Sequence, residues 1–185
     1  AGTGWSATPM GRTPRNRGAA IWRSICPTTS AIGADGVMPP TMATGWPVAA
    51  AWASMAFAQS GDAARAWQAW QAASPAHRMN DAQRFKTYRL EPYAVAGDVY
   101  GHAPWRGQGG WSWYTGAAGW LLRAGVESLL GVQRRAALVR FAPMLPPEWP
   151  TAEVTLRWRG HEHVFALVRE ASADPRHVRT LAVGT

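Results

Sequence analysis

The spacing of apolar residues changes from helical to alternating near residue 132, so the chain cannot consist of one kind of secondary structure. Residues 46–132 are helical in character, whereas residues 133–185 are rich in segments that alternate apolar with polar side chains. Residues 1–45 contain Gly, Thr, Pro and Arg with little periodicity, which indicates irregular structure. We therefore expect a mainly α-helical chain that ends in a small β-rich extension.

The helical part is predicted to begin with two antiparallel helices. Pro47 suits the first turn of a helix over residues 47–59, and Gly61 is expected to end it. Asp62 can then cap a second helix over residues 62–73. Residues that recur at helical spacing are expected to form the core between the two helices: Trp52, Met55, Ala56, Ala63, Ala66, Trp67 and Trp70.

A third helix is predicted over residues 112–130, with Gly131 as its stop. Its apolar stripe is expected to contain Trp113, Trp120, Leu121, Leu129 and Leu130. Thr115 and Gly116 lie in or just before its first turns, after a glycine-rich run that we expect to be flexible, residues 107–110. The free N–H groups and positive dipole end of a helix start favour an anion at Thr115 and Gly116.

Three strands are predicted in the C-terminal part, within residues 137–143, 152–160 and 161–170. Arg159 and Gly160 suit a hairpin turn between the last two. The proline-rich segment 143–150 is expected to be an extended crossover, with Glu148 and Trp149 covering the edge of the helical body. His161 and His163 lie two apart on one strand, but no third metal ligand is apparent in the sequence.

Composition narrows the functional classes. The net charge of +8 comes almost wholly from arginines, many of which lie before or after the helical region rather than clustered on one element, so we do not expect nucleic-acid binding. A single cysteine, Cys26, excludes an internal disulfide framework. No export signal or long apolar run is present. Because the chain starts at Ala1, we expect a fragment, and its location is left open between the bacterial cytoplasm and membrane association through a parent protein.

Residues 90–120 combine clustered aromatic rings, glycine-rich turns and two acids, Glu91 and Asp98. Sugar-binding clefts need such groups, because rings stack on apolar sugar faces while carboxylates accept hydroxyl hydrogen bonds. Glu91 is expected either to bind sugar hydroxyls or to pair with an arginine. Asp98 is expected to orient Arg106, itself a candidate anion contact, or to cap a turn. The candidate stacking residues are Trp105, Trp111 and Trp113, although core packing is favoured for Trp113.

Four ordered motifs in this chain resemble those of glycoside hydrolase family 94, the inverting β-glucoside phosphorylases. They are EPYAVAGDVY at residues 91–100, GQGGWSWYTGAAGW at residues 107–120, VESLLGV at residues 126–132 and PMLPPEWP at residues 143–150. The resemblance is strongest to the C-terminal phosphorylase-like region of cyclic β-1,2-glucan synthases, which also carry a small residue at the position of Gly97.

The resemblance implies an (α/α)6 barrel, here partial, followed by a small β region. It also implies phosphorolysis of a β-glucan oligosaccharide to glucose 1-phosphate, with inorganic phosphate as co-substrate and no other cofactor. Carried over by motif, phosphate binding falls on Thr115 and Gly116. We assign substrate binding to Glu91, Trp105 and Trp111.

Two departures from the family pattern limit this expectation. The family's general acid lies in an upstream segment that has no counterpart here, so no catalytic residue is assigned and the chain is expected to be inactive alone. Val48 stands where a phosphate-contacting His is expected. Unfamiliar sequence over residues 12–48 suggests a frameshifted or decayed segment, a hypothesis that resequencing would test. The alternatives are a non-catalytic carbohydrate-binding or structural module and, more remotely, a basic nucleic-acid binder, and the missing part of the barrel is a candidate partner.

Overall fold

The structure is a computed structural model that describes residues 45–113, 116–170 and 178–184. The expectations for residues 1–44 and for Thr115 therefore lie outside the described residues. The described part consists of helices followed by two small antiparallel sheets, as the change in sequence pattern predicted.

The first two helices form the predicted helical hairpin. α1 spans Pro47–Ser60 and α2 spans Ala63–Ala73. Gly61 ends α1 in the left-handed conformation, with φ of 86°, a conformation that glycine adopts without strain. The Asp62 carboxylate accepts the Arg65 N–H at 3.0 Å and so caps α2. The predicted end of α1 and the predicted start of α2 are both confirmed, because each depends on a single local residue.

Alanines line the contact between α1 and α2 and allow the helices to approach closely. The buried ones are Ala50, Ala51, Ala53, Ala58, Ala63, Ala66, Ala69 and Ala73. Ser54 lies in the same contact, where its hydroxyl donates to the Ala66 carbonyl at 2.8 Å. The core prediction is confirmed for Trp67 but wrong for Trp52, which is 37% exposed. Small residues occupy the shared face, so Trp52 lies outside it and meets Trp120 edge to face at a centroid distance of 5.6 Å.

Two short helices that the sequence pattern did not predict follow the hairpin. α3 spans Pro75–Arg78 and α4 spans Ala82–Tyr88. The Asp81 carboxylate accepts the Arg84 N–H at 2.8 Å and caps α4. Tyr88 is fully buried at the end of α4, and its hydroxyl accepts the N–H of Ala96 at 3.3 Å. This contact anchors the start of the loop that contains the candidate site.

The third predicted helix is shorter than expected. α5 spans Ala117–Arg123 and continues as a π-helical turn over Ala124–Leu129. The predicted start at Ser112 is wrong, because Trp113 has a φ of 71° and cannot be part of a right-handed helix. At the other end, Gly131 stops the helix with a φ of 68°, as predicted.

Two antiparallel sheets follow the helices, one of two strands and one of three. β1, Val132–Arg135, pairs with β2, Leu138–Phe141, and the second sheet has the order β3–β4–β5. The bounds of that sheet are β3 at Thr151–Trp158, β4 at His161–Arg169 and β5 at Val178–Gly184. Arg159 and Gly160 both have positive φ, at 50° and 82°, which confirms the predicted tight turn.

The proline-rich crossover ties the second sheet to the helices. The Arg169 guanidinium donates to the carbonyls of Leu145 and Pro146 at 2.6 and 2.8 Å. Trp149 packs on Trp67 at a centroid distance of 5.1 Å, so its predicted covering role is confirmed.

Neither a membrane span nor a metal cluster is found in the described residues. None of the helices described is both long enough and apolar enough to cross a bilayer. Within the same ranges, no three His, Cys, Asp or Glu side chains lie close enough together to hold a metal ion.

Candidate functional site

Two short segments, residues 97–100 and 107–111, run antiparallel in the loop between α4 and α5. Four backbone hydrogen bonds join them: Gly97 N–H to the Trp111 carbonyl at 2.6 Å, Gly110 N–H to the Asp98 carbonyl at 2.9 Å, Tyr100 N–H to the Gln108 carbonyl at 2.9 Å, and Gly107 N–H to the Tyr100 carbonyl at 2.8 Å. On the other side, Val99 exchanges two backbone hydrogen bonds with Gly45 at 2.7 and 2.8 Å. The loop is therefore hydrogen-bonded to Gly45, just before α1 begins.

The glycine-rich run within this loop is closely packed rather than open. A Cβ at Gly109 would lie 2.4 Å from the Leu90 side chain, and one at Gly110 would lie 2.1 Å from the Asp98 carboxylate. Both distances are too short for a carbon atom, so a Cβ at either position would displace the Leu90 or the Asp98 side chain. The expected flexibility of residues 107–110 is thus replaced by tight packing at two of its four positions.

Asp98 closes this loop. Its carboxylate lies against Gly110 and accepts the backbone N–H of Trp111 over a long contact of 3.4 Å. Of the two roles expected for Asp98, this geometry fits the turn cap. Within the described residues, Asp98 forms no ion pair with Arg106, which is exposed.

Glu91 is held by groups that sequence analysis did not connect to it. The Trp113 indole N–H donates to one carboxylate oxygen at 3.2 Å, and the Ser112 hydroxyl donates to the other at 3.3 Å. In the described part of the chain Glu91 forms no ion pair, so the arginine alternative is not what the structure shows. No sequence signal marked Ser112, because its partner lies 21 residues away.

These donors favour the ionised form of Glu91. A hydrogen bond from its own backbone N–H, followed by those from Trp113 and Ser112, lowers the pKa of the Glu91 carboxyl below its ordinary value. A general acid at neutral pH needs the opposite, a raised pKa that keeps the proton in place. Glu91 is therefore an ionised acceptor for hydroxyl groups and is not suited to protonate a leaving group.

The lowered pKa of Glu91 gives a pH prediction. The ionised carboxylate holds Trp113 fully above the ordinary glutamate pKa of about 4.3, and this contribution is lost as the pH falls through the lower folded-state value. We expect the Trp113 indole N–H resonance to shift during that acid titration, as measured by ¹H–¹⁵N NMR. In Glu91→Gln the amide oxygen still accepts the bond but does not titrate, so this shift is expected to disappear. An identical shift in both proteins would contradict the assignment.

Exposed aromatic rings lie beside Glu91. Trp113 and Tyr93 meet edge to face at a centroid distance of 5.9 Å, and they are 69% and 70% exposed. The prediction that Trp113 packs in the core is therefore wrong, because its left-handed backbone directs the ring out of the helix stripe. Trp111, predicted to stack on sugar, is 65% exposed with one edge against Gly97, where a Cβ would lie 2.9 Å from its ring.

Trp105 lies in a separate part of the loop. It is 55% exposed and lines an open depression of about 540 Å³ together with Tyr100, Gly101, His102 and Gln108. Neither Glu91 nor Trp111 lines that depression. The structure thus separates Trp105 from the other two predicted substrate-binding residues, Glu91 and Trp111, neither of which lines the depression.

The predicted anion site is described only at Gly116. Gly116 is the N-terminal cap of α5, is exposed, and has ordinary helical dihedral angles. A Cβ there would approach nothing closer than Trp120, at 3.9 Å, so the backbone is open to a small ligand. Gly116 follows Trp113 by three residues, which joins the predicted anion site in sequence to the Glu91 group.

Comparison with known proteins identifies the family of the helical part. Residues 42–131 match the family model of the glycosyl hydrolase 94 superfamily, catalytic domain. This part of the chain belongs to the glycosyl hydrolase 94 superfamily. Residues 133–172, which contain the crossover and β3 and β4, match the C-terminal domain of glycosyl hydrolase family 65. The family 94 resemblance read from the four motifs is confirmed.

Relatives of this chain include a glucan synthase and disaccharide phosphorylases. The chain is 41% identical over 128 residues to the cyclic β-(1,2)-glucan synthase NdvB of Rhizobium meliloti (strain 1021), covering 69% of this chain and 4% of that protein. It is 31% identical to solabiose phosphorylase of Paenibacillus borealis, over 42% of this chain and 10% of that protein. It is 32% identical to N,N'-diacetylchitobiose phosphorylase of Vibrio proteolyticus, over 59% of this chain and 13% of that protein.

Proposed function

We propose that this chain supplies part of the sugar- and phosphate-binding wall of a glycoside phosphorylase that acts on β-glucans. In this proposal the helices belong to an (α/α)6 barrel, and the remainder of that barrel is supplied by residues or a partner outside those described. Family membership and relatives that are a β-(1,2)-glucan synthase and two phosphorylases support the reaction class. The observation that carries the proposal is the ionised Glu91 carboxylate held between Ser112 and Trp113.

The Glu91 carboxylate and the aromatic rings near it suit the binding of a sugar ring. The Trp113 indole and the Ser112 hydroxyl donate to different oxygens of the Glu91 carboxylate at 3.2 and 3.3 Å, and the carboxylate retains acceptor capacity for a sugar hydroxyl. The exposed faces of Trp111, Trp113 and Tyr93 offer apolar surface for the C–H faces of the same or a neighbouring ring. Carboxylate and rings together would fix the position of a glucosyl unit.

In the proposed reaction, phosphate and the departing glycosidic oxygen lie on opposite faces of the anomeric carbon. Phosphate attacks the anomeric carbon directly, the glycosidic bond breaks, and a carboxylic acid protonates the departing oxygen. Thr115 and Gly116 are proposed to hold the phosphate through a hydroxyl and a backbone N–H. Glu91 is proposed to orient the sugar, since its lowered pKa keeps it ionised. The general acid is proposed to come from outside this chain.

Binding tests this proposal directly. We expect isothermal titration calorimetry to detect β-1,2-gluco-oligosaccharide binding that strengthens when inorganic phosphate is present. Because Glu91→Ala removes a charged hydrogen-bond acceptor, it is expected to weaken oligosaccharide binding at least about tenfold. Thr115→Ala is expected to remove the phosphate enhancement and to leave the sugar affinity without phosphate unchanged.

Two exposed residues elsewhere provide matched controls. Glu153→Gln on β3 and Phe85→Ala on α4 change a similar carboxylate and a similar ring, and neither is expected to alter binding. The same samples are expected to release no glucose 1-phosphate, since no residue of this chain takes the general-acid motif. Release that disappears in Thr115→Ala would show a complete site and would contradict the assignment of the acid to another chain segment.

A non-catalytic carbohydrate-binding module is the second candidate. The large exposure of Trp105, Trp111 and Trp113 favours it, because surface stacking alone can retain a glucan. Oligosaccharide binding that is independent of phosphate and insensitive to Thr115→Ala would support this candidate instead.

A further inference from the structure

The two hairpins of the C-terminal part end side by side and present one exposed surface. The β1–β2 hairpin turns at Ala136 and Ala137, and the β3–β4 hairpin turns at Arg159 and Gly160. The Arg134 guanidinium lies over the Trp158 ring at 4.4 Å, which brings the two turns together. We call residues 134–138 with residues 157–161 the hairpin-tip surface.

This surface carries a concentrated positive charge. Arg134, Arg135, Arg157 and Arg159 lie on it, and all four are exposed. Arg157 forms an ion pair with Glu162 at 3.0 Å. No other ion pair in the described part of the chain involves these four arginines, so their charge exceeds the negative charge beside them. The arginines that are scattered in sequence are gathered by the pairing of the strands.

An apolar projection lies between these arginines. Ala136, Ala137 and Leu138 form the tip of the β1–β2 hairpin, and Leu138 is 64% exposed. Trp158, partly exposed on the neighbouring hairpin, lies under the guanidinium of Arg134, and the Arg159 guanidinium lies 5.9 Å from the centre of the same ring. An exposed leucine costs free energy in water, and a tryptophan paired with arginines suits a boundary between apolar and aqueous phases.

We propose that the hairpin-tip surface docks on an anionic lipid bilayer. The arginines would contact lipid phosphates, while Leu138 and the two alanines enter the region between headgroups and acyl chains. Trp158 lies at the level of the headgroups, where amphipathic rings concentrate. The chain would be held at the membrane surface without crossing it.

A polynucleotide fits this surface less well. Bound bases stack on open aromatic faces, but here a guanidinium already lies 4.4 Å from the centre of the Trp158 ring. The Ala136–Leu138 tip would also have no apolar partner on a phosphate backbone. A lipid surface satisfies both the charge and the apolar projection.

Co-sedimentation of the 185-residue chain with lipid vesicles tests this proposal. We expect binding to vesicles of phosphatidylcholine containing a minority of phosphatidylglycerol, little binding to pure phosphatidylcholine, and weakening as salt is raised. Arg135→Gln is expected to weaken binding about fivefold, the effect of one basic residue near an anionic surface. Leu138→Asp is expected to weaken it at least tenfold, because it replaces the inserted side chain with a charge of the wrong sign.

Matched controls lie on the helices. Leu122→Asp changes a leucine that is 69% exposed on α5, and Arg84→Gln changes an exposed arginine on α4. Neither control is expected to alter vesicle binding, and circular dichroism of each variant checks that its fold is kept. Equal binding to both vesicle types, equal effects of Leu122→Asp and Leu138→Asp, or binding to a DNA duplex but not to vesicles would each overturn the proposal.

Discussion

Replacing Gly131 with alanine is expected to lower the free energy of unfolding by more than about 3 kcal/mol. Two costs combine there. The φ of 68° is unfavourable for a residue with a Cβ, and that Cβ would lie 2.1 Å from the Ala142 carbonyl carbon and 2.3 Å from the Pro143 nitrogen. The neighbour is backbone held in place, since Ala142 N–H donates to the Gly131 carbonyl at 2.8 Å. The strain cannot be relieved by rotating a side chain.

Two other glycines separate these costs in urea unfolding experiments. Gly160 has a φ of 82°, but a Cβ there would meet no neighbouring atom within 4 Å, so Gly160→Ala measures the backbone cost alone, about 1 kcal/mol. Gly119 lies in α5 with open space around it, so Gly119→Ala is expected to stabilise by up to about 1 kcal/mol. A loss for Gly131→Ala no larger than that for Gly160→Ala would show that the close contact relaxes at little cost.

Features set by neighbouring residues could be predicted from the sequence. The stop at Gly61, the cap at Asp62 and the turn at Arg159 and Gly160 each depend on the dihedral preference or side chain of the residue itself. The alternating pattern likewise predicted β3 and β4, and along β3 exposed and partly buried side chains do alternate with a period of two.

Features that depend on residues distant in the sequence could not be predicted in this way. Periodicity continued the third helix back to Ser112, but the backbone reverses hand at Trp113, whose indole is tied to Glu91 across 22 residues. Trp52 has the spacing of a core residue, yet the close alanine contact between α1 and α2 leaves it at the margin. Helical spacing identifies a stripe, but the neighbouring element decides which side of that stripe is covered.

The same distinction between local and distant effects holds for the candidate site. Composition and motif pointed to Glu91, Trp105 and Trp111 in one loop, and the structure does expose both tryptophans. The partners of Glu91 and the separation of Trp105 from it depend on backbone pairing between residues 97–100 and 107–111, which no local pattern encodes. Binding roles for these residues stay predictions until ligands are tested.

Trp67→Ala is expected to cost about 3–5 kcal/mol of unfolding free energy, the range found when a large buried aromatic ring is removed. Trp67 is only 8% exposed and stacks on Trp70 at a centroid distance of 5.2 Å. It also contacts His77 at 5.5 Å and Trp149 at 5.1 Å, so one ring joins α2, α3 and the proline-rich crossover. Its loss would leave a cavity where these three elements meet.

Two variants show whether packing or the indole nitrogen is responsible. The buried Trp67 Nε1 has no hydrogen-bond partner among the described residues, so Trp67→Phe removes an unsatisfied donor while keeping most of the ring contacts. We expect Trp67→Phe to cost less than about 1.5 kcal/mol, and Trp46→Ala, at a residue 70% exposed, to stay within about 0.5 kcal/mol. If urea unfolding gave Trp67→Phe the same loss as Trp67→Ala, the indole nitrogen would have a partner that stabilises the fold, and packing alone would not explain the effect.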